Sequence, residues 1–189
     1  MQDAYFFGYG SLVNRQTHDY SDAKPATIKG WRREWRRSHA YGRTFLSAVR
    51  DPDGRIGGLI ARVPKGDWAA LDKREAGYSR HDVASAEILT PHVARPQIYA
   101  IAPEASVMPC ENYPIRLSYL DVVIAGFLQE FGPDGVADFF VSTTGWSVVA
   151  NDRKRPLYAR AVPVGREVEA LVDAYLAAHN VPRCERMET

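Results

Sequence analysis

The sequence predicts an α+β fold with a largely antiparallel sheet or barrel and helices added afterwards. Strand-like segments dominate the first hundred residues, and amphipathic helical segments follow them. A doubly wound nucleotide-binding fold is not expected. The glycine-rich stretch GYGSLV lacks the third glycine of GxGxxG, and the segment after it looks extended.

Six segments of the first part of the chain have the composition of strands. They are residues 4–9, 28–38, 43–50, 57–63, 82–89 and 96–102. Between the third and fourth segments, Asp51-Pro52-Asp53-Gly54 predicts a tight turn, because proline fixes φ and glycine tolerates a positive φ.

Helices are predicted mainly in the later part of the chain. Apolar residues at three- and four-residue steps indicate a helix over 117–131 that ends at Gly132-Pro133, a shorter one over 134–142 and another from Arg166 to His179. One short helix is expected earlier, in GDWAALDKREAG, with Asp67 as its N-cap and Gly77 closing it.

Length and composition suit one domain over residues 1–189. The chain is 46% hydrophobic and 25% charged, and its net charge of +1 gives no overall attraction to nucleic acid or an anionic membrane. Cys110 and Cys184 lack the spacing of a zinc site, and the five histidines show no metal-ligand spacing. The amino terminus lacks the pattern of a signal peptide, so a cytoplasmic protein is expected.

The first candidate site is the loop that follows the first strand, in YFFGYGSLVN. Two glycines and Ser11 at a strand end can turn several backbone N–H groups toward one point, which would hold a carboxylate or an oxyanion. The alternative is a structural turn or bulge where another strand passes close by. A nucleophilic Ser11 is disfavoured because the GxSxG pattern is absent.

The second candidate site is LDKREAGYSRHDV. Glu75 lies where the short helix ends, and the negative end of the helix dipole disfavours a second negative charge there. In an apolar site the proton affinity of Glu75 would rise toward the range useful for acid–base catalysis, and Tyr78 could hold a substrate group. The alternative is a solvated Glu75 paired with Lys73 or Arg74.

Two basic segments are less informative. As a strand, GWRREWRRSHAYGR places Trp31, Arg33, Trp35 and Arg37 on one side, with arginine stems flanking the tryptophans on a half-exposed sheet. Nucleic-acid binding is disfavoured because the chain has no overall basic footprint, and a carboxylate-binding role for one arginine stays open. Near the C-terminus, NDRKRPLYARAV joins a basic turn to a predicted strand that holds Tyr158 and Arg160.

Four segments, in this order, resemble the γ-glutamylcyclotransferase-like family. FGYGSL is similar to the family's YGSN or YGSL loop, and GWRREWRRSHAYGRT is similar to the GWxRxFxxxS segment of its glutathione-degrading branch. LDKREAGYSRHDV resembles that branch's LxxREGGY segment, and SYLDVVIAGFLQEFG resembles its later helix. The matches run from about residue 5 to residue 160.

The resemblance implies a small mixed, mainly antiparallel β-barrel with helices packed outside. It also implies an enzyme that cyclises the γ-glutamyl group of a small γ-glutamyl amine, amino acid or peptide to 5-oxoproline, without a metal or other cofactor. Glu75 is then the general acid and base. The substrate-binding residues implied are Gly8, Tyr9, Gly10, Ser11, Leu12, Tyr78 and, in PLYAR, Tyr158. The alternative is a non-catalytic ligand-binding or regulatory domain of the same fold.

Overall fold

The computed structural model of the chain describes residues 4–91 and 95–185, which form two sheets and three helices. The strands are β1 (Tyr5–Gly8), β2 (Lys24–Ser38), β3 (Arg43–Arg62), β4 (Ser79–Asp82), β5 (Pro96–Ala100), β6 (Ser106–Val107), β7 (Ile115–Arg116), β8 (Thr143–Thr144), β9 (Val149–Asn151) and β10 (Arg183–Glu185). The helices are α1 (Trp68–Arg74), α2 (Leu117–Ser142) and α3 (Arg166–Ala178).

The larger sheet has seven strands in the order β4-β5-β1-β3-β2-β6, with β8 beside β2. Its pairs are antiparallel except β1 with β5 and β2 with β8. The sheet curls into a half-barrel, which confirms the predicted α+β class with a mainly antiparallel mixed sheet. The smaller sheet, β10-β9-β7, is parallel throughout.

The predicted turn over residues 51–54 is wrong, because β3 continues through it as one strand paired with β2. The pairing passes from Lys29–Arg55 to Trp31–Arg50, so residues 51–54 form a bulge opposite Gly30. Gly30 has a positive φ of 82°, a conformation that glycine adopts without strain. The proline–glycine signal therefore marks a widening of the long hairpin, and the chain does not reverse there.

The predicted strand over residues 82–89 is also misplaced. Pairing with β5 ends at Asp82, and a 3₁₀ turn follows at Ser85–Glu87. Glu87 stabilises this turn, since its carboxylate accepts a hydrogen bond from the Ala84 N–H (3.0 Å). Around this turn the segment contacts the sheet at single points, since the Val83 N–H donates to Pro96 O (3.0 Å) and Ile88 forms an isolated bridge with Ile28, so it does not form a continuous strand.

The helix predictions are confirmed closely. Asp67 caps α1 by accepting a hydrogen bond from the Ala69 N–H (2.9 Å). The two helices predicted around Gly132-Pro133 are the two parts of α2, which is broken at Gly132 (φ 68°, ψ −170°). Among the described residues, no helix has both the length and the apolar character needed to cross a membrane.

The basic strand β2 contributes to the core. Trp31, Arg33 and Trp35 are buried on one side, as the alternation predicts, but Arg33 is 0% exposed where a half-exposed stem was expected. The Arg33 guanidinium donates to Gly57 O (2.9 Å) and Ser142 Oγ (2.7 Å), and it lies over two phenylalanine rings of α2. Arg33 therefore joins the sheet to α2 as a structural residue.

Candidate active site

Gly8 and Gly58 allow the first loop and strand β3 to approach each other closely. A Cβ on Gly8, at the end of β1, would lie 2.5 Å from Leu12 Cβ. A Cβ on Gly58, in the neighbouring strand β3, would lie 2.3 Å from the carbonyl oxygen of Gly8. Side chains at either position would therefore push the loop away from the sheet.

The chain then makes a tight 3₁₀ turn over Ser11–Val13. The Val13 N–H donates to Gly10 O (2.9 Å), and the Asn14 N–H donates to Ser11 O (3.1 Å). The first N–H groups of such a turn have no acceptor inside the turn itself, so they are available to other groups. The close approach of a neighbouring strand, the structural interpretation of this loop, is confirmed at Gly8 and Gly58, whereas its use to hold an anion stays a prediction.

The loop faces a small cavity of about 40 Å³ that opens to solvent. Its lining includes seven of the eight site residues predicted from the sequence: Gly8, Tyr9, Gly10, Ser11, Leu12, Glu75 and Tyr78. The remaining lining residues are Phe7, Leu46, Tyr99 and Tyr119. Two segments more than sixty residues apart in the chain thus form one cavity.

Glu75 is the C-cap residue of α1, and its own N–H donates to Leu71 O (2.9 Å). Its side chain is 18% exposed and lies 3.3 Å from Arg74 Nε, measured to Oε1. Burial raises the pKa of the Glu75 carboxyl, and the nearby cations Arg74 and Arg160 reduce that rise. Glu75 lines the cavity and is paired with Arg74, but its side chain is largely buried, so the interpretation of a solvated Glu75 is wrong, and its catalytic role stays a prediction.

The tyrosines of the cavity are neutral hydrogen-bonding groups. Tyr9 Oη donates to Tyr99 O (2.6 Å) and accepts from the Ala48 N–H (2.9 Å), while Tyr78 Oη donates to Leu46 O (2.9 Å). Burial raises the pKa of both Tyr9 and Tyr78 above the ordinary tyrosine value. Both hydroxyls are therefore protonated at neutral pH, and their protons are committed to backbone carbonyls.

Tyr158 reaches the loop from the rim of the cavity. Its hydroxyl donates to Ser11 Oγ (2.8 Å), and its ring packs edge-on against Tyr119 with 4.9 Å between centroids. The prediction that Tyr158 and Arg160 lie on a strand is wrong. They lie in an irregular segment after β9, where Asp152 and Ser118 accept backbone hydrogen bonds from Leu157 (2.9 Å) and Tyr158 (3.3 Å).

Tyr119 is the most informative residue that the sequence interpretation missed. It lies in the first turn of α2, and its hydroxyl is beside Gly10, where a Cβ would come within 2.8 Å of it. Burial raises its pKa as well. The signal in the sequence was an aromatic residue at the start of the helix but outside the apolar series Leu117, Leu120 and Ile124.

This arrangement is compatible with acid–base chemistry. It brings together one carboxylate with an elevated pKa, the Gly8–Leu12 loop and a wall of neutral hydroxyls. Within residues 4–91 and 95–185, no group of three His, Cys, Asp or Glu side chains is placed to hold a metal ion.

Comparison with known proteins identifies a family for this chain. A family model described as ChaC-like protein matches residues 4–102, which contain both the loop and Glu75. No curated protein sequence matches the chain.

Solved structures share the fold at low sequence identity. One named gamma-glutamyl cyclotransferase has a TM-score of 0.56 and 15% identity, over 92% of this chain and 99% of that one. An uncharacterized protein from Homo sapiens has a TM-score of 0.55 and 14% identity over the same shares. YkqA from Bacillus subtilis has a TM-score of 0.54 and 19% identity, over 73% of this chain and 53% of that one. By its matched residues, which are more than half of its length, the chain belongs to the ChaC-like protein family.

Proposed function

We propose that the chain is a γ-glutamylcyclotransferase-type enzyme that converts the γ-glutamyl group of a small γ-glutamyl compound to 5-oxoproline and releases the free amine. The observation that carries the proposal is the meeting of Glu75 with the Gly8–Leu12 loop in one cavity. A site that merely binds an anion gains nothing from a buried carboxylate with a raised pKa, whereas a proton-transfer reaction requires one.

The loop supplies the binding part of this proposal. Its backbone N–H groups serve one of two anions, the α-carboxylate of the γ-glutamyl group or the oxyanion that forms at its side-chain carbonyl. The absence of a side chain on Gly8 lets the loop turn back closely, since a Cβ there would lie 2.5 Å from Leu12 Cβ, and this turn brings Ser11 and Leu12 to the cavity.

The reaction needs no second reactant, since the substrate carries both reacting groups. Its α-amino nitrogen attacks its own side-chain carbonyl and closes a five-membered ring. The first contribution of the site is therefore to hold the substrate in the folded conformation, which removes an entropic part of the barrier. A cavity walled by rigid tyrosines whose hydroxyls are fixed to backbone carbonyls suits that task.

Glu75 transfers a proton from the α-amino group of the substrate to the departing amine. The α-amino group is mostly protonated at neutral pH, and ionised Glu75 takes its proton so that the nitrogen can attack. The same carboxyl then gives the proton to the departing amine as the tetrahedral intermediate collapses. The raised pKa serves the first step, because a carboxylate of higher pKa takes a proton from the ammonium group more readily than one of ordinary pKa.

Family membership and the fold support the proposal from outside the site. The ChaC-like family model covers both the loop and Glu75, and one structure of the same fold is named gamma-glutamyl cyclotransferase. The intact combination of loop and Glu75 favours an enzyme over a non-catalytic binding domain of the same fold.

The test is incubation of the purified chain with γ-glutamyl amino acids, γ-glutamylamines and glutathione, with 5-oxoproline as the measured product. We expect Glu75→Gln to lower turnover by about 10²–10⁴-fold, the usual contribution of a positioned acid–base group. The matched control is Glu130→Gln, which neutralises a carboxylate that is also paired with an arginine, Arg15 (2.9 Å), but lies outside the cavity lining.

Two results would contradict the proposal. Near-normal turnover by Glu75→Gln would remove Glu75 from the mechanism. Tight binding of γ-glutamyl compounds without any 5-oxoproline would instead favour the non-catalytic alternative.

A further inference from the structure

The segment that follows β9, here called the strap (residues 152–160), lies against the start of α2 and carries Tyr158 to the loop. We propose that Asp152 and Ser118 form a clasp that positions Tyr158 on Ser11 and thereby ties the strap to the loop that lines the cavity. The proposal rests on the function proposed above, and it makes Asp152 a positioning residue for that reaction.

Asp152 is the anchor of the clasp. It is 1% exposed, and its carboxylate accepts three hydrogen bonds from two segments of the chain. Oδ1 accepts from the Ser118 N–H (2.7 Å), and Oδ2 accepts from Ser118 Oγ (2.6 Å) and from the Leu157 N–H (2.9 Å). Three donors directed at one group favour a carboxylate, because an asparagine side chain has only one acceptor oxygen.

Ser118 connects Asp152 with Tyr158. Its hydroxyl donates to Asp152 and accepts from the Tyr158 N–H (3.3 Å). Arg116 adds a second attachment, since its Nη1 donates to Leu157 O (2.7 Å). The backbone on both sides of the Leu157–Tyr158 peptide is thus fixed to the start of α2, and the Tyr158 ring is directed toward the loop.

The end of the strap touches the candidate site itself. Tyr158 Oη donates to Ser11 Oγ (2.8 Å), and its ring packs on Tyr119, which lines the cavity. A chain of contacts therefore runs from buried Asp152 through Ser118 and Tyr158 to the loop that binds the substrate. Loosening any link would free the Tyr158 side chain from the rim.

Asp152 also has a purely structural use that the test must separate from positioning. The side chain of Arg116, the N-cap residue of α2, makes no capping hydrogen bond. Asp152, which is distant in the sequence, caps the helix instead by accepting a hydrogen bond from the Ser118 N–H. Ser118→Ala distinguishes the two roles. It keeps the backbone N–H and therefore the cap, but it removes the hydroxyl that connects Asp152 with the Tyr158 N–H.

The kinetic test compares Asp152→Asn, Ser118→Ala, Tyr158→Phe and the Ser118→Ala/Tyr158→Phe double variant on a γ-glutamyl compound that the wild type cyclises. We expect each single variant to raise KM by about tenfold, the size of one lost hydrogen bond, with kcat within about threefold of the wild type. The double variant should be no worse than the poorer single variant, because both changes break the same chain of contacts.

A structural role alone predicts a different pattern. Asp152→Asn would then lower the melting temperature, and Ser118→Ala would leave KM unchanged. An unchanged KM in Ser118→Ala overturns the clasp, and so does a double variant whose KM is clearly higher than that of both single variants. The control for loss of a buried charge is Glu34→Gln. Glu34 is buried, and its carboxylate contacts Arg32 and Arg36 and not the strap.

A second measurement does not depend on activity. The amide protons of Leu157 and Tyr158 should exchange with solvent several-fold faster in Asp152→Asn and Ser118→Ala, but not in Glu34→Gln. Unchanged exchange rates would overturn the clasp even in a chain that cyclises nothing. Faster exchange together with a lack of 5-oxoproline from the wild type would instead show that the clasp exists and that the proposed function is wrong.

Discussion

Arg74 and Glu75 are neighbours in the sequence and form an ion pair at the edge of the cavity, with 3.3 Å between Nε and Oε1. Arg74 also donates to Thr17 O (2.8 Å) and Thr17 Oγ1 (3.1 Å), and Thr17 Oγ1 donates to Ser11 O (3.0 Å). One arginine therefore connects the proposed base with the loop proposed to bind the substrate. It both holds Glu75 in place and limits the rise of the pKa of its carboxyl.

This pair predicts a shift in the pH dependence of catalysis. Arg74→Gln removes a cation that lowers the Glu75 pKa, so the pKa rises further and the base becomes protonated at a higher pH. The acidic limb of kcat/KM should therefore move to higher pH, while Arg74→Lys, which keeps the charge, should leave it near its original position. The measurement is the pH–rate profile of each variant, with Arg50→Gln, which pairs with Glu87, as the control. An acidic limb that does not move would separate Arg74 from the titration of the base.

Ionised Glu75 should also lower the stability of the folded protein at neutral pH. Its pKa is raised in the folded state, so the folded chain binds the proton more tightly than the unfolded chain does. The contribution of Glu75 to stability is complete below its unfolded pKa of about 4.3 and is lost as the pH rises through the folded pKa. Glu75→Gln should therefore raise the melting temperature at pH 7 and change it little at pH 4. An equal change at both values would contradict the raised pKa.

Local patterns in the sequence were sufficient to predict α1 and the loop. Asp67, Gly77 and the position of Glu75 between them follow from capping and turn chemistry within about ten residues. Gly77 has a positive φ of 93° in the turn that follows the C-cap Glu75, where the Tyr78 N–H donates to Glu75 O (2.9 Å). Since each of these features depends on neighbours in the sequence, tertiary structure did not override them.

The features that were missed depend on contacts between distant segments. The use of residues 51–54 as a bulge depends on Gly30 across the hairpin, and the complete burial of Arg33 depends on α2, which lies about a hundred residues later. Tyr119 belongs to the cavity because α2 starts beside Gly10. A single sequence contains the residues of such contacts but not their pairing, so periodicity alone assigned Tyr119 no role.

The close approach of Gly10 to Tyr119 predicts that a second substitution, at Tyr119, restores much of the substrate binding lost in Gly10→Ala. In Gly10→Ala, the new Cβ would lie 2.8 Å from Tyr119 Oη, which is too close, and the tyrosine or the loop must shift. We expect KM for a γ-glutamyl substrate to rise by about tenfold or more, since the loop N–H groups are displaced. Removing the obstructing oxygen in Gly10→Ala/Tyr119→Phe should recover a large part of that loss, with Tyr119→Phe alone as the reference. A double variant that is no better than Gly10→Ala would show that the loop moves for another reason.

A substitution at Gly58 should lower the stability of the fold, whereas the substitution at Gly10 should weaken substrate binding. A Cβ there would meet the Gly8 carbonyl oxygen at 2.3 Å and Phe7 Cζ at 2.6 Å, and the first of these belongs to the paired backbone of β1. Because that oxygen cannot move without breaking the sheet, Gly58→Ala should lower the free energy of unfolding by about 2 kcal/mol or more. Gly165→Ala is the matched control, since a Cβ there meets nothing within 4 Å and its φ is −71°. Denaturant unfolding of both variants measures the difference, and equal stability would mean that β1 and β3 separate at this point more easily than their pairing indicates.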